Sequence, residues 1–202
     1  MNFDKYAKEW DNEARINRAS LIVEEIKKAI PLDKSYSAME FGCGTGLISF
    51  NLQNEFKRIT LVDASEGMIE VVNSKINRYK VDNMKAKKLD IFKEPLKEKY
   101  DVIYTSMVLH HIEDTKKVVK IFYDYLNEGG YLCIVDLNTE DGSFHASEKD
   151  FHGHNGFDQE EFKKILMSTG FKKTESKTFF EDKKNMAGKD IEYSLFILKG
   201  EK

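Results

Sequence analysis

The chain has 202 residues, of which 41% are apolar and 33% are charged, and its formal net charge is −3. This length supports one substantial core, so we expect residues 1–202 to form a single domain. The mild negative charge gives no overall attraction to nucleic acid or to anionic membranes, and nucleic acid is therefore disfavoured as a partner.

The first ten residues, MNFDKYAKEW, lack the basic segment and apolar run of a secretory signal. No later stretch approaches the roughly 20 apolar residues of a membrane span. Cys43 and Cys133 are too few for a disulfide framework. We therefore expect a cytoplasmic protein with no membrane span and with reduced thiols.

Short β-rich runs alternate with segments of helical period, which is the pattern of an α/β domain with a mostly parallel sheet. The strands are predicted at residues 36–41, 59–63, 85–89, 101–106 and 131–136. Apolar residues three and four apart predict core-facing helices at residues 21–30, 47–56, 68–79 and 118–125.

The C-terminal part changes pattern. A helix is predicted at 159–169, with Asp158 as N-cap, Glu161 three positions later and Gly170 as the stop. Two strands follow without a crossover helix, at residues 172–181 and 191–199, joined by the polar turn KKNMAGKD. They should pair antiparallel. The sequence thus predicts a doubly wound, mostly parallel seven-stranded sheet with an antiparallel C-terminal strand pair.

Two segments outside this alternation are candidates for covering a site. Residues 138–157 form a stretch of about twenty residues without periodicity, a length that compact domains rarely tolerate except in binding segments or lids. Near the start, Phe3, Tyr6 and Trp10 are spaced to share one side of a helix. We expect a lid loop at 138–157 and a helical cap at 1–30.

Residues 39–46, MEFGCGTG, place glycines at positions 42, 44 and 46, shortly after Glu40 and a short apolar run. Glycine is entropically costly to order, so this pattern indicates a close approach to the backbone. In a doubly wound sheet, ligands approach the backbone most closely at the first strand-to-helix turn. A dinucleotide fingerprint would need a glycine at position 47, where this chain has leucine.

An acidic residue before GxGxG resembles the glycine loop of class I S-adenosylmethionine-dependent methyltransferases. The resemblance extends in order along the chain to LVDAS, KKLDIF, DVIYTSMVLHHI and LNEGGYLCIVD. It implies a Rossmann-like fold, S-adenosyl-L-methionine as cofactor with S-adenosyl-L-homocysteine as product, and a small-molecule methyl acceptor, as in the group that includes quinone-biosynthesis methyltransferases. The opening FDKYAKEWD is similar to a segment that closes over the cofactor in a subgroup of small-molecule methyltransferases.

The resemblance assigns roles residue by residue. Glu40 would orient the methionine amino end or the loop, while Gly42, Gly44 and Gly46 would let the backbone pack against the cofactor. Asp63 would accept hydrogen bonds from the ribose hydroxyls, for which a carboxylate at a strand end is well suited. The remaining cofactor contacts implied are Asp90 at the adenine amino group, Ile91 beside the ring, and Tyr6, Trp10, Cys43, Ala64, Met68, Thr105 and Ser106.

All five histidines fall on the expected ligand side of the sheet. His110 and His111 follow the fourth strand, and His145, His152 and His154 lie in the long loop. They are the candidate general bases, although an aligned methyl transfer does not require a base. Packing, backbone hydrogen bonding or solvent exposure are the alternatives. A metal site of the loop trio is not favoured, because no cysteine or carboxylate motif accompanies it.

Two other functions stay open: an RNA or protein methyltransferase, and a non-catalytic S-adenosylmethionine-binding protein. Residues 105–110 read TSMVLH where amino-group methyltransferases with an Asn-Pro-Pro-Tyr signature carry that motif, which disfavours that chemistry. The acceptor, its methylated atom and the oligomeric state are left open, because acceptor pockets are built by loops and termini.

Overall fold

The computed structural model describes residues 3–148, 151–186 and 189–202. Its strands form one seven-stranded sheet in the order β3-β2-β1-β4-β5-β7-β6. The strands are β1 Ser37–Phe41, β2 Arg58–Asp63, β3 Met84–Lys88, β4 Tyr100–Ser106, β5 Leu126–Leu137, β6 Lys172–Met186 and β7 Lys189–Glu201. The first five run parallel, and β7 is antiparallel to both β5 and β6. The predicted fold class is confirmed.

Helices cover both faces of this sheet. They are α1 Phe3–Tyr6, α2 Glu13–Ala29, α3 Leu47–Leu52, α4 Glu66–Tyr79, α5 Thr115–Tyr125 and α6 Gln159–Thr169. One core contains apolar side chains of α2, α3 and α4, and the other contains those of α5 and α6. The covering face changes between β1 and β4, so the carboxyl ends of β1, β2 and β4 border the crevice where such sheets bind ligands.

The helix ends follow local capping signals. Asp158 accepts a hydrogen bond from the Glu161 N–H at 2.9 Å, and Gly170 ends α6 at a φ of +118°. The predicted helix 159–169 is confirmed. Helix α2 begins at Glu13, earlier than the predicted residue 21, because the Asn12 side chain caps it by accepting from Arg15 N–H.

Two predicted boundaries are wrong for reasons that lie outside the local sequence. The helix predicted at 47–56 ends at Leu52, since the Asn83 side chain donates to the carbonyls of Gln53 at 2.8 Å and Phe56 at 3.1 Å. The strand predicted at 131–136 begins at Leu126, where it pairs with Tyr100 of β4 ahead of a bulge.

The C-terminal strands are longer than predicted, and most of the expected polar turn is part of the sheet. Lys183 pairs with Glu192 at 3.0 Å, and the Asn185 side chain donates to Asp190 at 2.7 Å. These cross-strand pairs stabilise a ladder whose polar composition indicated a turn. The tip, residues 187 and 188, lies outside the described residues.

The described part of the 138–157 segment is tied to the sheet and to the turn after β4. Thr139 N–H donates to the Phe157 carbonyl at 3.2 Å, and His154 N–H donates to the His110 carbonyl at 2.7 Å. A short 3₁₀ helix occupies Ser143–His145. Residues 149 and 150 of this segment lie outside the described residues.

None of the described helices combines the length and the apolar composition that crossing a membrane requires.

Candidate active site

The carboxylate of Asp63 joins the glycine loop to the start of α4. One oxygen accepts the Gly44 N–H at 2.8 Å, and the other accepts the Ser65 N–H at 2.9 Å. Burial raises the pKa of Asp63, although these backbone N–H groups partly offset the shift. Each carboxylate oxygen keeps a further lone pair for a ligand, because a carboxylate offers about four acceptor positions.

The glycine loop turns sharply because its glycines adopt positive φ angles. A Cβ atom on Gly42 would lie 2.3 Å from a Val108 methyl carbon, so the space beside Gly42 is occupied by the turn after β4. A Cβ on Gly44 would meet only the Trp10 indole nitrogen, at 3.7 Å. The Trp10 indole therefore lies against this glycine, and the absence of a side chain leaves the loop backbone uncovered in the wall of the cavity.

A cavity of about 380 Å³ opens beside this loop. Most of the predicted cofactor residues line it, namely Trp10, Glu40, Gly42, Cys43, Gly44, Asp63, Ala64, Met68, Asp90, Ile91 and Ser106. Tyr6, Gly46 and Thr105 do not. Tyr6 is 54% exposed, Gly46 caps α3, and the buried Thr105 belongs to β4.

Glu40 is the most perturbed acid of the cavity. It is 2% exposed, and burial raises its pKa to about 8. Its Oε2 accepts hydrogen bonds from the Ser49 hydroxyl and, at 3.3 Å, from the Ser49 N–H. The Ser49 hydroxyl also contacts the Tyr104 hydroxyl at 2.6 Å. Such a desolvated carboxylate becomes ionised when a cationic ligand group lies against it.

The opposite end of the cavity is partly open. Asp90 accepts the Phe92 N–H at 3.0 Å, and Lys93 at 2.9 Å lowers the pKa of Asp90. Ile91 is buried beside it. An apolar side chain next to a hydrogen-bonding carboxylate suits a planar heterocycle with an exocyclic amine.

The N-terminal segment lies over the cavity through two aspartates that the sequence reasoning missed. Asp4 accepts the Ser65 hydroxyl at 2.6 Å and the Gly67 N–H at 2.9 Å. Asp11 forms an ion pair with Lys75 at 2.5 Å and accepts the Thr45 hydroxyl. Both belong to the FDKYAKEWD stretch, whose aromatic residues alone were considered. Its predicted helix is a short α1 followed by a 3₁₀ turn at Ala7–Glu9.

Two arginines of α2, also missed, line the cavity. The Arg15 guanidinium stacks on Trp10 at 4.0 Å from the ring centroid and donates to the Trp10 carbonyl at 3.0 Å. Burial and the neighbouring Arg18 charge lower the pKa of Arg15. Arg18 donates to the Tyr193 hydroxyl at 3.3 Å. Among the described residues, no carboxylate lies within 4.0 Å of either guanidinium, which makes them available to an anionic ligand.

Only one of the five histidines, His111, lines this cavity. Burial and the neighbouring His110 and His145 lower the pKa of His111 to about 3. The ring is therefore neutral at pH 7 and a weak base. His110 is buried, with its Nδ1 at 2.5 Å from the Asp136 carboxylate.

The three histidines of the long loop separate in space. His145 is buried and stacks on Phe151 at 3.9 Å. His154 donates from Nε2 to the Ile112 carbonyl at 2.9 Å, and His152 is exposed. In the described part of the chain, the histidines that do converge are His110, His111 and His145.

Known proteins resemble this chain in sequence and in fold. The profile of the methyltransferase domain family matches residues 32–195. The chain belongs to this methyltransferase family. A malonyl-[acyl-carrier protein] O-methyltransferase of Bacillus anthracis is 33% identical over 117 residues, which are 54% of this chain and 42% of that protein. An uncharacterised methyltransferase of Schizosaccharomyces pombe is 32% identical over 119 residues, 55% of this chain and 42% of that protein.

Solved structures of other proteins share the fold of this chain. A Haemonchus contortus phosphoethanolamine N-methyltransferase, in complex with phosphomonomethylethanolamine and S-adenosylhomocysteine, superposes with a TM-score of 0.75 at 16% identity, covering 92% of this chain and 52% of that one. The Bacillus subtilis YcgJ protein gives 0.72 at 15% identity, covering 91% and 97%. The resemblance to S-adenosylmethionine-dependent methyltransferases is confirmed in family and fold. The chain spans less than half the length of the two curated relatives.

Replacing Glu40 of this methyltransferase-family chain with Gln should stabilise the ligand-free protein at alkaline pH. The pKa of Glu40 is about 8 in the folded chain against an ordinary 4.5. The protonated Glu40 carboxyl contributes stability that is fully present below pH 4.5 and is lost as the pH rises through 8. The unfolding free energy of Glu40→Gln minus that of wild type should therefore increase by about 2–4 kcal/mol when the pH is raised from 5 to 8.5. Urea denaturation at both pH values measures this difference, and parallel changes in the two proteins would contradict it.

Replacing Asp11 with Ala should release the N-terminal segment, because it removes the ion pair with Lys75 and the bond from Thr45. A charge-assisted hydrogen bond contributes about 1.5–3 kcal/mol, so amide exchange of residues 3–12 should accelerate roughly tenfold or more. Hydrogen–deuterium exchange with mass spectrometry measures this rate. The control is Asp33→Ala, which removes a carboxylate whose hydrogen bond is to nearby Ser35. Equal exchange in both variants would show that Asp11 does not hold the N-terminal segment in place.

Proposed function

We propose that this chain is an S-adenosylmethionine-dependent methyltransferase that methylates a small acceptor carrying an anionic group. The observation that carries the proposal is the distribution of charge along one cavity. Glu40 and Asp63 lie beside the glycine loop, Asp90 lies at the opposite end of the cavity, and Arg15 and Arg18 lie on α2. The volume of about 380 Å³ falls within the ~300–1,000 Å³ typical of small-molecule sites.

The residues present fit the cofactor group by group. The two free acceptor positions of Asp63 suit the ribose hydroxyls, and the buried Glu40 suits an ammonium. Asp90 and Ile91 suit the adenine. Arg15, held on Trp10 beside the Gly44 backbone, suits the cofactor carboxylate. When bound, S-adenosylmethionine supplies a methyl group on a sulfonium, which an aligned nucleophile displaces in line.

The acceptor side of the proposal rests on Arg18. Its guanidinium lies farther along α2 and contacts Tyr193 of β7, away from the glycine loop. The malonyl-[acyl-carrier protein] O-methyltransferase and the phosphoethanolamine N-methyltransferase that resemble this chain are named for acceptors with an anionic group, a malonyl carboxylate and a phosphate. A carboxylate or phosphate bound by Arg18 would hold the acceptor with its nucleophilic atom toward the sulfonium, which is the positioning that such a displacement needs.

The N-terminal segment and His111 complete the proposed site. Phe3 and Trp10 cover the cavity with aromatic surface and would exclude water from the sulfonium. The neutral His111 keeps one ring N–H, which can donate a hydrogen bond to an acceptor hydroxyl or amine and so orient it. Its low pKa favours this orienting role over proton removal.

Replacing Asp63 with Ala should weaken S-adenosylmethionine binding more than tenfold, because it removes charge-assisted bonds to the ribose and releases the Gly44 N–H. Isothermal titration calorimetry measures the dissociation constant, with S-adenosylhomocysteine and NADH as comparison ligands. The matched control is Asp82→Ala, at an exposed aspartate. An unchanged constant for Asp63→Ala would remove Asp63 from the site, and preferential binding of NADH would overturn the cofactor assignment.

Substitutions of the two arginines should separate cofactor binding from acceptor binding. Arg18→Gln should raise the acceptor KM about tenfold or more with little change in S-adenosylmethionine affinity, and Arg15→Gln should do the reverse. Formation of S-adenosylhomocysteine is measured with malonyl thioesters, phosphoethanolamine and neutral amines as acceptors.

The matched control for both arginine variants is Arg78→Gln, at an exposed arginine of α4. It should leave both constants at their wild-type values. A preference for neutral acceptors, or an Arg18→Gln variant that behaves like Arg78→Gln, would contradict an anionic acceptor.

A further inference from the structure

Three histidine rings converge behind the cavity wall, at the junction between the turn after β4 and the 138–157 segment. The ring centroids lie 4.2 Å apart for His110 and His111, 5.0 Å for His110 and His145, and 5.2 Å for His111 and His145. One ring nitrogen from each residue lies within 4.8 Å of the other two.

The hydrogen bonding of His110 sets its free nitrogen. Asp136 is fully buried and accepts the Leu109 N–H at 2.9 Å and the Leu137 N–H at 2.8 Å besides its contact with His110. A carboxylate can only accept, so His110 Nδ1 carries the proton and donates. Nε2 is then the nitrogen with the available lone pair. A carboxylate that fixes the tautomer of a histidine in this way is the usual outer partner of a metal-bound imidazole.

His145 offers a second candidate ligand nitrogen. The residue is 3% exposed, and its Nδ1 is buried without a hydrogen-bond partner among the described residues. Stacking on Phe151 at an interplanar angle of 3° holds the ring. Burying an unpaired polar atom is unfavourable, and coordination to a metal ion would satisfy it.

We propose that His110, His111 and His145 bind a divalent transition metal ion of the zinc type. Three imidazole nitrogens suit zinc, cobalt, nickel or copper better than magnesium or calcium, which prefer oxygen ligands. Zinc–nitrogen bonds of about 2.0–2.1 Å in tetrahedral geometry separate the nitrogens by roughly 3.3 Å. The three nitrogens would have to approach one another by about 1.5 Å or less to reach this separation.

Three imidazoles leave the fourth tetrahedral position of the ion to water. The site also has a structural consequence. A metal at this point would join the turn after β4, which contributes His110 and His111, to the segment that contributes His145. Because His111 lines the cavity, the ion would fix one wall of the proposed acceptor site.

The test is metal binding by the full chain, expressed without a polyhistidine tag, stripped with a chelator and assayed without S-adenosylmethionine. Zn²⁺ titration should give about one equivalent, and Co²⁺ should give the visible absorption of a four-coordinate nitrogen-rich site. His145→Gln and His110→Gln should each weaken Zn²⁺ affinity at least tenfold. His152→Gln, an exposed histidine of the same loop, is the matched control and should bind as wild type.

Less than half an equivalent of Zn²⁺ on the wild-type chain would overturn the proposal. So would equal losses in His145→Gln and His152→Gln. Circular dichroism checks that the variants are folded, and if His110→Gln is not, His145→Gln together with the Co²⁺ spectrum of wild type decides. Because no cofactor is present, a negative result here leaves the proposed methyltransferase function untouched, and a failure to bind S-adenosylmethionine leaves the metal site untouched.

Discussion

The pair of hydrogen bonds that Asp63 accepts is the constraint on which the rest of the site depends. By binding Gly44 N–H and Ser65 N–H, one carboxylate ties the loop after β1 to the helix after β2. The same helix start receives Asp4, which brings the N-terminal segment over the cavity. Asp63 therefore ties the loop backbone to the start of α4, and Asp4 ties the covering segment to that same helix start.

Acidic and basic side chains occupy different parts of the cavity wall, so its different parts suit ligand groups of opposite charge. Desolvation makes the acids near the glycine loop costly to ionise, most strongly at Glu40, so a cationic ligand gains from neutralising them. At α2, burial lowers the pKa of Arg15, and the charge of the nearby Arg18 guanidinium lowers it further. An anion placed between them would relieve that repulsion. The proposed cofactor, which carries both an ammonium and a carboxylate, and the proposed anionic acceptor would together use the acidic and the basic parts of the cavity.

Sequence reasoning succeeded where the signal is local and failed where a distant residue intervenes. The cap of α6 at Asp158 and its stop at Gly170 were predictable because both act within one turn. The end of α3 was not, since its terminating hydrogen bonds come from Asn83, about thirty residues along the chain. The length of the C-terminal strands depends likewise on cross-strand pairs such as Lys183 with Glu192, which have no expression in local composition.

By itself, the sequence determined the order of strands and helices, the place of the glycine loop and the acidic residues at the ends of β2 and β3, because hydrophobic period and turn chemistry act over a few residues. Only the tertiary structure decided which side chains share a cavity. It placed Arg15 and Arg18 in the wall of the cavity that the glycine loop borders, and it left Tyr6 exposed to solvent. It also placed His145, rather than His152 or His154, beside His110 and His111. These contacts depend on how α2 and the 138–157 segment pack against the sheet. Packing between segments that are distant in sequence cannot be inferred from the residue pattern within either segment.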